Sequence, residues 1–335
     1  MNECNIDPRA RVRTWVGVLG FAAILAALLS GVMAGAVNVT AAEIWEAVSG
    51  QTGTESYQII RNIRVPRLLV GAFTGMNLAL AGCILQGVLR NPLADPGIIG
   101  VSSGAGLAAM AVMIIWPTHS ALVPVAAFAG ALLALAVVFV LAWERGVHPL
   151  RLILAGVAVA AFFGGGMSTL MVFHSDKVQG TVNWMVGGFQ GRSWEHVRMI
   201  LPYSFAGIIG SLVGYRYLNT LQLGDEVAKG LGIRVEAARI LLVGLAALLA
   251  GSAVSVAGLL GFVGLVVPHI TRMMVGSDFE YLMPCSALLG AALVVSADTV
   301  ARTVFSPVEL PVGIFMAFLG APFFLYLLRK RGIHR

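Results

Sequence analysis

Apolar runs of about twenty residues follow one another almost from end to end of this chain. That constrains its fold more than any motif does. A run of this length and polarity can cross the hydrocarbon core of a bilayer as a helix. In a bilayer only helices and closed barrels satisfy their own backbone groups. Ten windows fit the helical case, at residues 15–37, 67–89, 97–116, 121–143, 150–173, 194–215, 236–258, 260–275, 281–303 and 311–328. The eighth is short and carries Pro268, His269 and Arg272. No segment between the windows reads as a separate soluble domain, so residues 1–335 are expected to form one all-α integral membrane domain. Composition agrees, with 58% hydrophobic and 11% charged residues, where soluble domains are about half apolar and about a quarter charged. The 40 glycines suit helices that approach closely in a membrane.

The first window follows Arg9, Arg11 and Arg13 and is too long for a typical signal-peptide core, so it reads as a retained span. An even number of spans puts both termini on one side. Seven of the 22 Lys and Arg fall on one face, namely Arg61, Arg64, Arg67, Lys177, Arg192, Arg198 and Arg302, and the rest fall on the other. The positive-inside rule then places both termini in the cytoplasm, with tails at 1–14 and 329–335. The net charge of +6 has the same origin and does not point to nucleic acid. Cys4, Cys83 and Cys285 have neither metal-ligand nor redox spacing.

Residues 219–235 form the charged segment between the sixth and seventh windows, on the cytoplasmic face. Its centre reads as a short helix. Asp225 and Glu226 complement the positive end of the dipole, Lys229 lies in the last turn, and Gly232 can supply a left-handed stop. Val227, Ala228 and Leu231 share one face. So short a helix is not stable alone and must pack on something. On the other face, Thr40 and Glu43 fit a capping box at the start of a short helix. Residues 174–193 suit an interfacial helix with Trp184 anchored at the headgroups.

The helical pattern breaks twice, at 90–97 and at 258–269, through Pro and Gly. Interruptions at corresponding places in two halves are a mark of transporters. Ten spans divide into five and five, and an odd number inverts the second half. At this point the chain resembles the permease subunits of ABC importers for ferric siderophores, haem and cobalamin, the FecCD-type family. The matching stretches run in order: Arg64-Val65-Pro66-Arg67, residues 82–86, Asn91-Pro92-Leu93-Ala94-Asp95-Pro96, Gly224-Asp225-Glu226 with Leu231-Gly232, Gly261-Phe262-Val263-Gly264-Leu265 with Pro268-His269, Asp298 with Arg302, Glu309-Leu310-Pro311-Val312-Gly313, and Gly320-Ala321-Pro322-Phe323-Phe324. None is decisive alone, but together they cover most of the chain.

The resemblance implies a type II ABC importer permease fold. It also implies a homodimer with the pathway on its axis, two cytoplasmic ATPase subunits, and a periplasmic binding protein. ATP and Mg would sit on the ATPase, since this sequence has no phosphate loop of the G-x-x-x-x-G-K-[ST] type. The chain itself would bind no cofactor and do no covalent chemistry. By the resemblance Gly224, Asp225, Glu226, Val227, Ala228, Leu231 and Gly232 couple to the ATPase. Arg64, Arg67 and Arg302 would receive acids of the binding protein. The plainer alternatives are snorkelling for Arg64 and Arg67, and an i, i+4 pair of Arg302 with Asp298.

Asn91, Pro92 and Asp95 suit either a gate contact or a turn in which Asn and Asp cap backbone groups. Met167, Met171 and His174 share a helix face at i, i+4 and i+7, and could line the pathway or simply pack. Asn77 and Gln86, polar inside the second window, are better read as bridges between helices. Two other classes stay open: an ion-driven secondary transporter and an intramembrane enzyme. The acids cluster near span ends, with Asp298 nearest the interior, and no set of ligands or nucleophiles lies at membrane depth. A bacterial inner-membrane importer of a ferric siderophore or haem is the leading expectation, with cobalamin or an oxyanion as alternative cargo.

Overall fold

The computed structural model describes residues 9–35, 39–49, 54–144, 146–304, 306 and 308–332. Among them the structure is helical, and the one isolated β-bridge pairs Trp143 with Val147. The helices are α1 (Ala10–Met33), α2 (Ala41–Val48), α3 (Glu55–Ile59), α4 (Val65–Val88), α5 (Val101–Ile115), α6 (Val123–Ala142), α7 (Pro149–Phe173), α8 (Val178–Val186), α9 (Trp194–Gln222), α10 (Asp225–Gly230), α11 (Val235–Ala257), α12 (Val263–Val275), α13 (Phe279–Thr303) and α14 (Val312–Gly332). Seven apolar segments reach spanning length by themselves, and α5, α12 and α14 supply three shorter apolar helices. These correspond to the ten windows.

Hydrogen bonds between helices fix the direction of the spans. At one end Arg13 of α1 donates to the Val275 carbonyl of α12 at 3.2 Å. At the same end Asn219 of α9 donates to Asp278, the N-cap of α13, at 2.8 Å. At the other end Lys177, after α7, donates to the Ile114 carbonyl of α5 at 3.1 Å, and the Trp194 indole of α9 donates to the Arg61 carbonyl before α4 at 2.8 Å. Each bond joins groups that strict alternation of ten spans puts at the same end. The breaks follow the second and seventh spans, the same place in each group of five. They are residues 89–100 between α4 and α5, and 258–262 between α11 and α12.

Helix α4 is the axis of the packing. In its apolar window 83% of residues are buried, and it meets α9, α11, α12 and α13. Such contact on all sides is possible because α4 approaches its neighbours backbone to backbone. A methyl group at Gly75 would land on the Gly290 carbonyl of α13, and one at Gly82 on the Gly264 carbonyl of α12. Polar groups bridge the same contacts. The Asn77 amide donates to Ser204 at 2.7 Å and to Ser252 at 3.0 Å. Gln86 donates to the Gly264 carbonyl at 3.2 Å. Both residues bridge helices, as expected.

Several boundaries differ from the windows for local reasons. Helix α1 begins at Ala10, so the expected tail at 1–14 is partly helix, and residues 1–8 lie outside the described residues. At the other terminus α14 runs on to Gly332, through most of the expected tail at 329–335. Residues 333–335 lie outside the described residues. Helix α5 begins only at Val101, because two Asx turns and Gly100 at φ 76° occupy the segment before it. The capping box is present: Glu43 N–H donates to Thr40 Oγ1 and Thr40 N–H to Glu43 Oε2. With a further hydrogen bond from Ser56 as the largest cause, the Glu43 carboxyl is lowered to about 2. Residues 178–186 form the expected short helix, but Trp184 is buried, so it is a packing residue and no headgroup anchor.

The α4–α12 contact leaves no room for a side chain. Gly82→Val is expected to destabilise the chain by at least about 3 kcal/mol. Denaturant unfolding in detergent micelles checks this against a Gly244→Ala control, where an added methyl group meets no atom within 4 Å.

Candidate functional site

Two clusters of charge sit at opposite ends of α4, whose 24 residues span about 36 Å. One surrounds α10. The chain leaves α9 at Leu223 and turns at Gly224, whose φ of 106° with ψ of 156° is a region open to glycine. Helix α10 then runs for six residues. Gly232, at φ 82°, ends it, and its N–H bonds to Lys229 O while Ile233 N–H bonds to Ala228 O. This is the left-handed stop expected from the sequence. Helix α10 packs on α9 and α11 through Ala228, which is fully buried. Val227 and Leu231 are about half and two-thirds exposed, with Leu223 exposed beside them. Ala228 therefore does not share a contact face with Val227 and Leu231. It faces its own subunit and they face out, as does Glu226.

Asp225 also faces inward. Its carboxylate accepts from Arg239 Nη2 at 3.0 and 3.2 Å and from Arg90 Nη2. Arg239 is fully buried and also donates to the Val147 carbonyl. A buried guanidinium needs such partners, because an unpaired one costs several kcal/mol, roughly, to desolvate. The segment that follows Arg90 is a turn. Asn91 Oδ1 accepts from Leu93 N–H and Asp95 Oδ1 from Gly97 N–H. These are the backbone caps of the turn reading. Pro92 lines a small apolar gap with His269, Phe323 and Phe324 of α12 and α14.

The second cluster lies where α1, α4 and α13 meet. The last turn of α1 carries no basic residue of its own. Its free carbonyls are capped from outside, as helix C-termini require. Arg64 donates to Val32 O and Met33 O, and Arg302 to Gly31 O. Arg67 forms a two-point ion pair with Asp298 at 2.8 and 2.9 Å and a third bond to Glu309 at 2.8 Å. All three arginines are buried. Snorkelling therefore does not describe Arg64 or Arg67. The i, i+4 partner offered to Arg302 is held by Arg67 instead, because a planar guanidinium on the adjacent helix can take both carboxylate oxygens at once.

A crevice of about 280 Å³ opens beside Arg67, Asp298 and Glu309. A second, of about 360 Å³, adjoins it along α5, α6 and α9. Met113, Trp184 and Arg192 line both. Sequence reasoning passed over Arg192. Among the described residues its guanidinium makes one hydrogen-bond contact, a weak one with His196 at 3.4 Å, and has no acidic partner. Burial alone lowers its pKa from the ordinary arginine value. Its signal was a lone cation in a glycine-rich loop, which spacing cannot distinguish from a solvated one. Met167 of α7 packs against Gly106 of α5, and Met171 and His174 are half-buried on the same side. Among the described residues no three His, Cys, Asp or Glu side chains converge as a metal site would require.

This is a multi-pass membrane protein whose charged clusters lie at span ends and whose spans carry the small-residue contacts of a transport permease. The chain belongs to the FecCD transport family, whose model matches residues 22–330. It is 38% identical to the hemin transport system permease protein HmuU of Yersinia pestis, over 97% of this chain and 98% of that one. It is 42% identical to the Fe(3+)-citrate import system permease protein YfmE of Bacillus subtilis, over 81% and 82%. A solved metal-chelate type ABC transporter in an inward-facing conformation superposes with a TM-score of 0.83 at 29% identity, covering 95% of this chain and 99% of that one.

Arg67→Gln leaves the buried Asp298 without its counter-charge and is expected to cost about 3–5 kcal/mol. Asp298→Asn should cost less, because Arg67 keeps Glu309. Paired unfolding curves test the order; equal losses would contradict it.

Proposed function

We propose that this chain is the membrane permease of an ATP-driven importer that carries a metal chelate into the cytoplasm. A ferric chelate or haem, the cargo in the names of the relatives above, is the leading cargo, with cobalamin or an oxyanion as alternative. The exposed apolar pair Val227 and Leu231 on a six-residue helix carries this reading. They lie beside Glu226 at the end of the molecule that holds most Lys and Arg. Positive charge favours the cytoplasm, and an exposed apolar patch on an otherwise marginal helix fits a protein partner. The partner is a cytoplasmic ATPase, one per permease, and it carries ATP and Mg. Both chain termini then lie in the cytoplasm of a bacterial cell, with the inner membrane around the spans.

Helices α7 and α14 support the rest of the assembly. In the apolar window of α7 only 22% of residues are buried, and Phe162, Phe173, Phe318 and Leu325 are exposed. Lipid and a second copy of the chain cover these faces, and the pathway runs between the two copies. The mechanism is alternating access, with ATP-driven movement of α10 changing which side the pathway faces. At the opposite end a binding protein delivers the cargo. Arg64, Arg67 and Arg302 shape that surface while serving as internal partners. Arg192, with no acidic partner among the described residues, adds positive charge at the crevice to steer an acidic protein. An ion-driven carrier needs an ionisable group without a fixed partner in the membrane, whereas Asp298 is paired with Arg67.

Uptake in proteoliposomes holding this chain and its ATPase, with haem or ferric citrate on the binding protein, tests the function. Uptake that requires ATP and the binding protein supports it, and uptake that follows an ion gradient overturns it. The double substitution Val227→Asp with Leu231→Asp is expected to lower ATPase co-purification about tenfold or more while membrane insertion persists. Arg192→Glu is expected to weaken binding-protein capture about tenfold at low salt, with the difference shrinking as salt rises.

A further inference from the structure

Arg90 stands where a glycine belongs. Helix α4 ends in paired bonds, Arg90 N–H to Gly87 O at 3.3 Å and Asn91 N–H to Gln86 O at 3.1 Å. That closing motif puts its first outside residue in the left-handed region, which favours glycine. Arg90 has φ 49° there, one of two described non-glycine residues with positive φ. The backbone gains nothing from the side chain, which raises the cost of the conformation. An outlier kept against its local preference points to work done by its side chain. The Arg90 guanidinium meets Asp225, the first residue of α10, and Asp225 in turn holds the buried Arg239 of α11. Steric packing does not force this contact. A crevice of about 290 Å³ lies beside Arg90, and the side chain is more than a third exposed.

We propose that the Arg90–Asp225–Arg239 ion triad is the link through which α10 moves the end of α4. Arg90 is its positioning residue. The inference rests on the permease reading above and deepens it. One carboxylate between two guanidiniums ties α10 to both α4 and α11, so α10 cannot shift without drawing on the end of α4. The residues after Arg90 form the turn whose Pro92 meets α12 and α14. Movement at α10 therefore reaches the first break in the helical pattern, which lies against the second half of the molecule. Asp225 serves this internal link and is not a contact with the ATPase.

The test compares wild type, Arg90→Gly, Arg90→Lys and Asp225→Asn in the complete complex in proteoliposomes. It measures thermal midpoint, ATPase co-purification, ATP hydrolysis, and cargo moved per ATP. Arg90→Gly removes the backbone strain together with the side chain. It should keep the midpoint at or above wild type, retain its ATPase and its hydrolysis, and yet lower cargo per ATP by about fivefold or more, the usual scale of coupling between sites. Arg90→Lys keeps the charge and should recover part of that loss, while Asp225→Asn should lose cargo per ATP as Arg90→Gly does, at a lower midpoint because the buried Arg239 loses its counter-charge. Unchanged cargo per ATP in Arg90→Gly overturns the proposal. Loss of ATPase capture in Asp225→Asn also overturns it, since Asp225 would then face the partner. If the wild-type complex itself shows no ATP-dependent uptake, the permease reading fails and the triad proposal falls with it.

Discussion

The burial of α4 along its whole length is the constraint on which the rest of this structure depends. A helix surrounded by other helices in a bilayer gains little from the hydrophobic effect, because lipid tails are as apolar as its neighbours. Close approach and hydrogen bonding must hold it. Gly75 and Gly82 permit the approach, and Asn77 and Gln86 supply bonds across it. The charges of α4 and of the residues flanking it are then confined to its two ends, where Arg64 and Arg67 meet α1 and α13, and Arg90 meets α10. A rigid rod with a charged device at each end follows from packing alone.

The same economy explains the arginines at the Arg64 end. Three guanidiniums within one cluster would repel, and burial makes each more costly. The structure divides the work between two kinds of acceptor. Arg64 and Arg302 take the carbonyls that end α1, which carry the negative end of its dipole. Arg67 takes the two carboxylates. Arg192 stands outside this arrangement, half-buried and without an acidic partner among the described residues.

The sequence made some of this legible and hid the rest for physical reasons. Signals local along the chain read correctly. The ten apolar windows, the two breaks, the Thr40–Glu43 cap and the Gly232 stop all depend on residues within a few positions of one another. Partnerships across the fold were not legible. Asp298 lies four residues before Arg302, the spacing of a helical pair, yet Arg67, 231 positions away, holds it. Ala228 lies on the helix between Val227 and Leu231 by pattern, but only the docking of α10 on α9 and α11 decides which of the three faces inward. The Arg90 conformation was hidden for the opposite reason. Its glycine signal is absent, and the replacement makes sense only once Asp225 is seen beside it.

Burial also divides the molecule into an enclosed core and a rim that its own chain leaves open. In α4 and α11 most of the apolar window is buried, 83% and 72%, whereas in α7 and α9 only 22% and 33% is. Interiors packed backbone to backbone shift between discrete arrangements instead of deforming smoothly. Under the proposed alternating access, the core would move as a body against the rim. Helix α10 touches both, through α9 on the rim and α11 in the core. A displacement of a six-residue helix at that boundary bears on both parts at once. The charged segment between the sixth and seventh spans therefore sits at the boundary of core and rim.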